Sequence, residues 1–223
     1  MGFTEISYAL SNSSPALLTL GAVGGILFWK NLDVFHRNIL LYLILMLLVE
    51  LSGRLLGEIY NNNLIVLPLF SLIEMIFFLY FYNKFLFIKP NKLIMVAGIL
   101  AILFIVGETL QYFVFNTLDT KQYQPYAKVI DNFVIIIMAL YFFYQKINNF
   151  NETRWGNFRL NTAILIVFTF NSLVFLPFNF LINESSGIRF YFWTGNLLLL
   201  VFFYIYLISL IYINGRANRK IVR

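Results

Sequence analysis

The 223-residue sequence has no cysteine and a single histidine, His36. Disulfide frameworks, thiolate nucleophiles, Cys/His zinc sites and bis-histidine haem ligation are therefore excluded. Charge is scarce as well: 12% of residues are charged, against about 25% in soluble domains. Long polar stretches are missing, so no loop has room for a soluble domain. A repeat is missing too. The first three and last three apolar stretches share neither charges nor glycine spacing, which gives an inverted-repeat transporter no support.

What is present is apolar surface. Hydrophobic residues make up 61% of the chain, and mean hydropathy is +0.80. One soluble domain of this length cannot bury so much apolar area, so a lipid bilayer is the expected solvent. Crossing about 30 Å of hydrocarbon takes roughly 20 helical residues. Seven stretches qualify: 13–29, 38–57, 63–82, 93–115, 125–144, 160–182 and 190–213. Asn-, Pro-, Gly- and Lys-rich breaks separate them, including Asn61-Asn62-Asn63, Lys89-Pro90-Asn91-Lys92 and Glu184-Ser185-Ser186-Gly187. The sequence thus predicts an all-α integral membrane protein, a single domain over residues 1–223 made of a seven-helix transmembrane bundle.

Basic residues in short loops orient such a bundle. With the N-terminus outside and the C-terminus in the cytoplasm, Lys30, Arg37, Lys84, Lys89, Lys92, Lys146, Arg154, Arg159, Arg216, Arg219, Lys220 and Arg223 fall inside. Lys121, Lys128 and Arg189 fall outside. Glu5 precedes the first basic residue, Lys30, so the stretch before it lacks the positive start of a cleaved signal peptide, and the first helix is expected to remain. Trp29, Trp155 and Trp193 suit interfacial belts. The abundance of Asn, Ile, Phe, Tyr and Lys points to an AT-rich bacterial genome, hence to a bacterial inner membrane. The net charge of +6 is distributed as topology signals between apolar runs, which argues against nucleic acid as a partner.

Ionisable residues within spanning helices are costly and mark function by default. In the second stretch, Glu50, Gly53, Arg54, Gly57 and Glu58 share an arc of about 140° at 100° per residue. Glu74, with Ser71, stands on the third stretch; Glu108 and Gln111 stand on the fourth; Asp131 and Asn132 on the fifth; Asn171 on the sixth; Asn196 on the seventh. In the orientation above, most of these residues lie in the outer half of the bilayer, with Glu74 near its middle. The expectation is one outward-facing acidic cavity for a small cationic or polar solute, with Glu50, Arg54, Glu58, Glu74, Glu108, Gln111, Asp131, Asn132, Asn171 and Asn196 as its candidate ligands. Arg54 is read as the one buried cation.

A plainer reading stands beside it. Glu50 and Arg54 are four apart, and Lys128 and Asp131 three apart, so each pair can bridge along its own helix. Asn171, Asn196 and Ser52 can bond between helices, and Gly21-x-x-x-Gly25 and Gly53-x-x-x-Gly57 are close-packing surfaces. His36 is read as a solvated loop residue. Glu50-x-x-x-Arg54 resembles part of the Glu-Glu-x-x-x-Arg motif of CAAX-type intramembrane proteases. Val49 stands in place of the first Glu, so no function is carried over. Leu67-Pro68 followed by Glu74 resembles the Pro-x-Glu-Glu segment of seven-span carotenoid cyclases, with the wrong spacing. The seventh stretch has no Lys, which excludes a retinal Schiff base.

Three classes of function remain. The first is a receptor- or carrier-like protein binding or transporting the cationic or polar solute, or a hard cation, since no Cys or His cluster is there for soft metals. The second is an intramembrane enzyme acting on a lipid or isoprenoid, with Glu74 as its general acid or base. The third is a non-catalytic accessory subunit whose polar residues hold helices together. No metal and no cofactor are expected. The partners are the lipid bilayer, the small solute, and a cytoplasmic or membrane protein that would dock on the basic C-terminal tail, itself more simply an anionic-lipid contact.

Overall fold

The computed structural model describes residues 3–61, 63–115, 123–148, 157–183 and 188–221. Lys121, Arg154, Trp155, Glu184 and Arg223, which enter the topology reading, lie outside the described residues, as does Asn62. The described chain is helical, without a strand. Its elements are α1 (Phe3–Leu27), α2 (Val34–Tyr60), α3 (Val66–Phe81), α4 (Lys92–Thr109), α5 (Tyr126–Asn148), α6 (Phe158–Phe175), α7 (Phe178–Asn183) and α8 (Ile188–Ile221). A 3-10 turn at Trp29–Asn31 follows α1, and π-helical turns at Tyr82–Leu86 and Leu110–Val114 extend α3 and α4.

Among the described residues, seven helical segments are long and apolar enough to cross a membrane: Ser7–Leu27, Val34–Tyr60, Val66–Leu86, Lys92–Val114, Tyr126–Asn148, Phe158–Phe175 and Phe190–Arg219. Each matches one of the seven stretches read from sequence. The sixth ends earlier than expected. Pro177 lacks the N–H a continuing helix needs, so α6 stops at Phe175 and α7 restarts beyond it, with Leu181 N–H donating to the Pro177 carbonyl. His36 lies in the first turn of α2 rather than in a loop.

The chain divides into two compact units, Met1–Asn61 with Gly187–Arg223, and Asn62–Ser186. In the first unit, α1 lies between close partners on α2 and α8. A Cβ on Gly25 would run into the Leu40 side chain, and one on Gly21 would come within 2.7 Å of Ile208, so glycine lets these backbones approach. Gly21 opposite Ile208 and Phe28 opposite Gly215 make α1 and α8 parallel. Asp33 caps α2, accepting from His36 N–H at 2.8 Å, and accepts from Asn214 Nδ2 of α8 at 2.9 Å. Asn218 Nδ2 donates to the Asn31 carbonyl at 2.8 Å. Partial burial pushes the Asp33 pKa up, but these hydrogen bonds from His36 and Asn214 outweigh it and hold the carboxyl below its usual value.

The second unit is built around α5, which packs against α3, α4 and α6. Its outer surface is apolar: Leu93, Leu100 and Leu103 of α4 are 80%, 60% and 62% exposed. Such a surface suits lipid rather than water. Its interior holds the polar residues. Tyr82 donates to Asn161 Oδ1 at 2.8 Å, while Asn161 Nδ2 donates to the Ala139 carbonyl at 3.1 Å, joining α3, α6 and α5. Gln145 accepts from Ile88 N–H at 2.9 Å and donates to the Lys89 carbonyl at 2.6 Å, fixing the α3–α4 connection to α5.

Candidate functional site

The start of α5 is held in place by its neighbours. Ala127 N–H would be an orphan donor in the first helical turn. It donates instead to Glu108 Oε2 of α4 at 2.7 Å. Just upstream, Gln124 Nε2 donates to the carbonyls of Phe175 and Leu176 at 2.9 and 2.8 Å, the groups that the break before Pro177 leaves without helical donors. Tyr123, Val174, Phe175 and Phe178 form an apolar cluster there, with Val129 packed against it. Burial, with the Glu108 carboxylate nearby, raises the Tyr123 phenol above its usual pKa.

These contacts set Lys128 within the unit, where it is 1% exposed. Its Nζ donates to Glu74 of α3 and to Asp131 Oδ2, one turn further along α5, at 2.7 Å. The Phe70 and Phe168 rings lie 4.7 and 5.5 Å from Nζ, within cation–π range. Glu74, Asp131, Asn132, Asn171 and Ser71 are all buried. The hydroxyl of Ser71 donates to the Leu67 carbonyl at 3.0 Å. Asp131 Oδ1, both amide ends of Asn132 and Asn171 Oδ1 have no hydrogen-bond partner among the described residues.

The level of Asn171 follows from helix register. Asn161 meets Ala139 and Gln124 meets Phe175, so α5 and α6 run antiparallel and advance residue for residue. This brings Asn171 level with Val129, less than one turn from Lys128 and Asn132. Phe168 lies on the same face of α6, one turn from Asn171, and its ring reaches Lys128. Lys128, Asp131 and Asn132 occupy an arc of about 100° on α5, with Lys128 between the other two.

Of the ten candidate residues read from sequence, Glu74 and Asp131 thus meet at Lys128, Asn132 lies one turn along α5 from Lys128, Asn171 lies at their level by helix register, and Glu108 sits one residue away as the α5 cap. Gln111 is exposed in the second π-helical turn. Glu50, Arg54, Glu58 and Asn196 belong to the other unit. There, Arg54 donates to Glu50 Oε1 at 3.2 Å, to the Ser11 carbonyl at 2.6 Å and to Asn12 Oδ1 at 3.0 Å, which ties α2 to α1. Its side chain is 36% exposed. Glu58 is exposed, and Asn196 is buried with Oδ1 unpartnered among the described residues.

The charge count read from sequence is corrected here. Arg54 is about one-third exposed, and the buried cation among the described residues is Lys128, assigned by sequence to the outer basic residues. The Lys128/Asp131 spacing was the available signal; the acid across on α3 has no signature in local spacing. No family model matches the chain, and no curated protein or solved structure shows significant similarity to it, so the helical architecture and this polar core are what bear on function.

Proposed function

We propose that the chain is a multi-pass protein of a bacterial inner membrane, N-terminus outside and C-terminus in the cytoplasm, that binds or carries a small cationic or polar solute through the polar core of α3, α5 and α6. One observation carries this reading. Two carboxylates from different helices converge on a single buried ammonium and leave a carboxylate oxygen and two amide oxygens open. Ion pairs that serve packing alone are favoured when every lone pair is satisfied, because desolvated unpaired oxygens are costly. An excess of buried acceptors is what a cation site retains.

The basic-residue bias supports the orientation. Single cysteines introduced at Asn61, Lys92 and Arg219 should react with an impermeant thiol reagent in intact cells only at Asn61. Labelling at Arg219 overturns the orientation.

The accessory-subunit reading is favoured by a different observation, the direct pairing of Lys128 with both acids. Thermal unfolding of the purified protein in detergent, titrated with inorganic and organic monovalent cations, separates the two. Saturable stabilisation that is lost in Asp131→Asn supports cation binding. Indifference to every cation, with Asp131→Asn destabilised alike in all conditions, replaces it with the accessory role.

A further inference from the structure

We propose that the polar core of the second unit binds one primary ammonium group, that of a small alkylamine-like solute, beside the ammonium of Lys128. The inference rests on the cation-binding reading above and narrows its ligand.

Lys128 itself shows what chemistry this place holds. Its Nζ is met by carboxylate oxygens of Glu74 and Asp131 and by the Phe70 and Phe168 rings at 4.7 and 5.5 Å. Carboxylates together with π faces suit a desolvated ammonium. The charge count then leaves room for a second one. Two carboxylates share one ammonium in a fully buried position, so with both ionised a second ammonium would complete the charge balance.

The open hydrogen-bonding capacity matches the same group. Asp131 Oδ1, Asn132 Oδ1 and Asn171 Oδ1 are buried acceptors without a partner among the described residues. Asn132 follows Lys128 by one helical turn, and the α5–α6 register puts Asn171 at their level. The three acceptors equal in number the three N–H donors of a primary ammonium, while Asn132 Nδ2, the one open donor beside them among the described residues, is left to a polar group on the rest of the solute. A hard metal ion fits less well. It takes about six or more oxygen ligands, and no group of three or more His, Cys, Asp or Glu side chains is placed to hold a metal among the described residues.

The experiment is thermal unfolding of the full chain in detergent with methylammonium, ethylammonium, tetramethylammonium, sodium and potassium chlorides at matched ionic strength. Methyl- and ethylammonium should raise Tm saturably. Tetramethylammonium, with the charge but no N–H donor, should not. Asp131→Asn should weaken the apparent methylammonium affinity about ten-fold or more, the scale of a lost charge-assisted hydrogen bond. Lys128→Met, which removes the competing positive charge, should strengthen it.

If Asp131→Asn does not fold, Asn171→Leu serves in its place. It should lose the ammonium response while its ligand-free Tm is unchanged or higher, since an unpaired buried oxygen is removed. Equal effects of methylammonium and tetramethylammonium overturn the proposal, as does an undiminished response in Asn171→Leu. Saturable stabilisation by sodium or potassium but by no amine overturns the ammonium inference and leaves the cation reading standing. No response to any cation overturns both.

Discussion

Glu108 Oε2 accepts the backbone N–H of Ala127 at 2.7 Å, so an acid of α4 caps α5 in the place where a helix ordinarily uses its own N-cap side chain. Lys128 is the next residue. The cap therefore positions the ammonium as well as ending a helix. Glu108→Ala should cost about 1 kcal/mol or more in unfolding free energy. Glu108→Gln keeps an acceptor oxygen and should cost less. Denaturant or thermal unfolding in detergent checks the order, and equal losses for the two replacements would refute the capping role.

The Glu74–Lys128–Asp131 group is expected to be strongly non-additive. Lys128→Met alone leaves two buried carboxylates without their cation and should destabilise by about 3–5 kcal/mol. Adding Glu74→Gln and Asp131→Asn removes those stranded charges and should recover much of the loss. A double-mutant cycle on Lys128 and Asp131 reads the coupling directly, and additivity within about 0.5 kcal/mol would mean that the two do not interact.

Arg54 and Glu50 should behave differently, because both side chains are about one-third exposed. Their mutual coupling is expected at about 0–1 kcal/mol. Arg54→Leu should nevertheless be worse than Glu50→Gln, since Arg54 also bonds Ser11 and Asn12 across to α1. Unfolding measurements that rank Glu50→Gln as the more damaging change would contradict this arrangement.

Asp33 gives a pH dependence of definite sign. Its folded pKa lies below the usual carboxylate value, so the unfolded chain takes up the proton first as pH falls. The stabilisation is complete above the usual carboxylate range, roughly above pH 5, and is lost as pH drops through the lowered folded value. Asp33→Asn should flatten that part of the acid limb of a Tm-against-pH curve. An unchanged limb would show that the Asp33, His36 and Asn214 contacts contribute nothing.

The seven spans were legible because apolar length and loop composition are local properties, and each span coincides with a helix. The break at Pro177 was legible in principle from the missing N–H, but the apolar run on either side of it outweighs one residue in any reading based on length. Lys128 was misread for a related reason. Counting basic residues treats each as a topology signal, while its burial depends on Glu74, 54 residues away in sequence. Likewise, Glu108 was marked as a site acid on its charge alone, and its bond to a backbone N–H is invisible until α4 and α5 are brought together.

The parallel contact of α1 with α8 has a consequence for biogenesis. One unit is contiguous, spanning Asn62–Ser186, whereas the other is assembled from Met1–Asn61 and Gly187–Arg223. During synthesis the contiguous unit has all its helices before α8 is made, while α1 and α2 wait for a partner that follows the whole contiguous unit in sequence. The glycine faces that receive Leu40 and Ile208 are thus half-filled for most of translation. A nascent chain arrested shortly after Ser186 should already show protease resistance across α3–α6, with α1 and α2 still open to exchange, and should become resistant throughout only once α8 is released to close on α1.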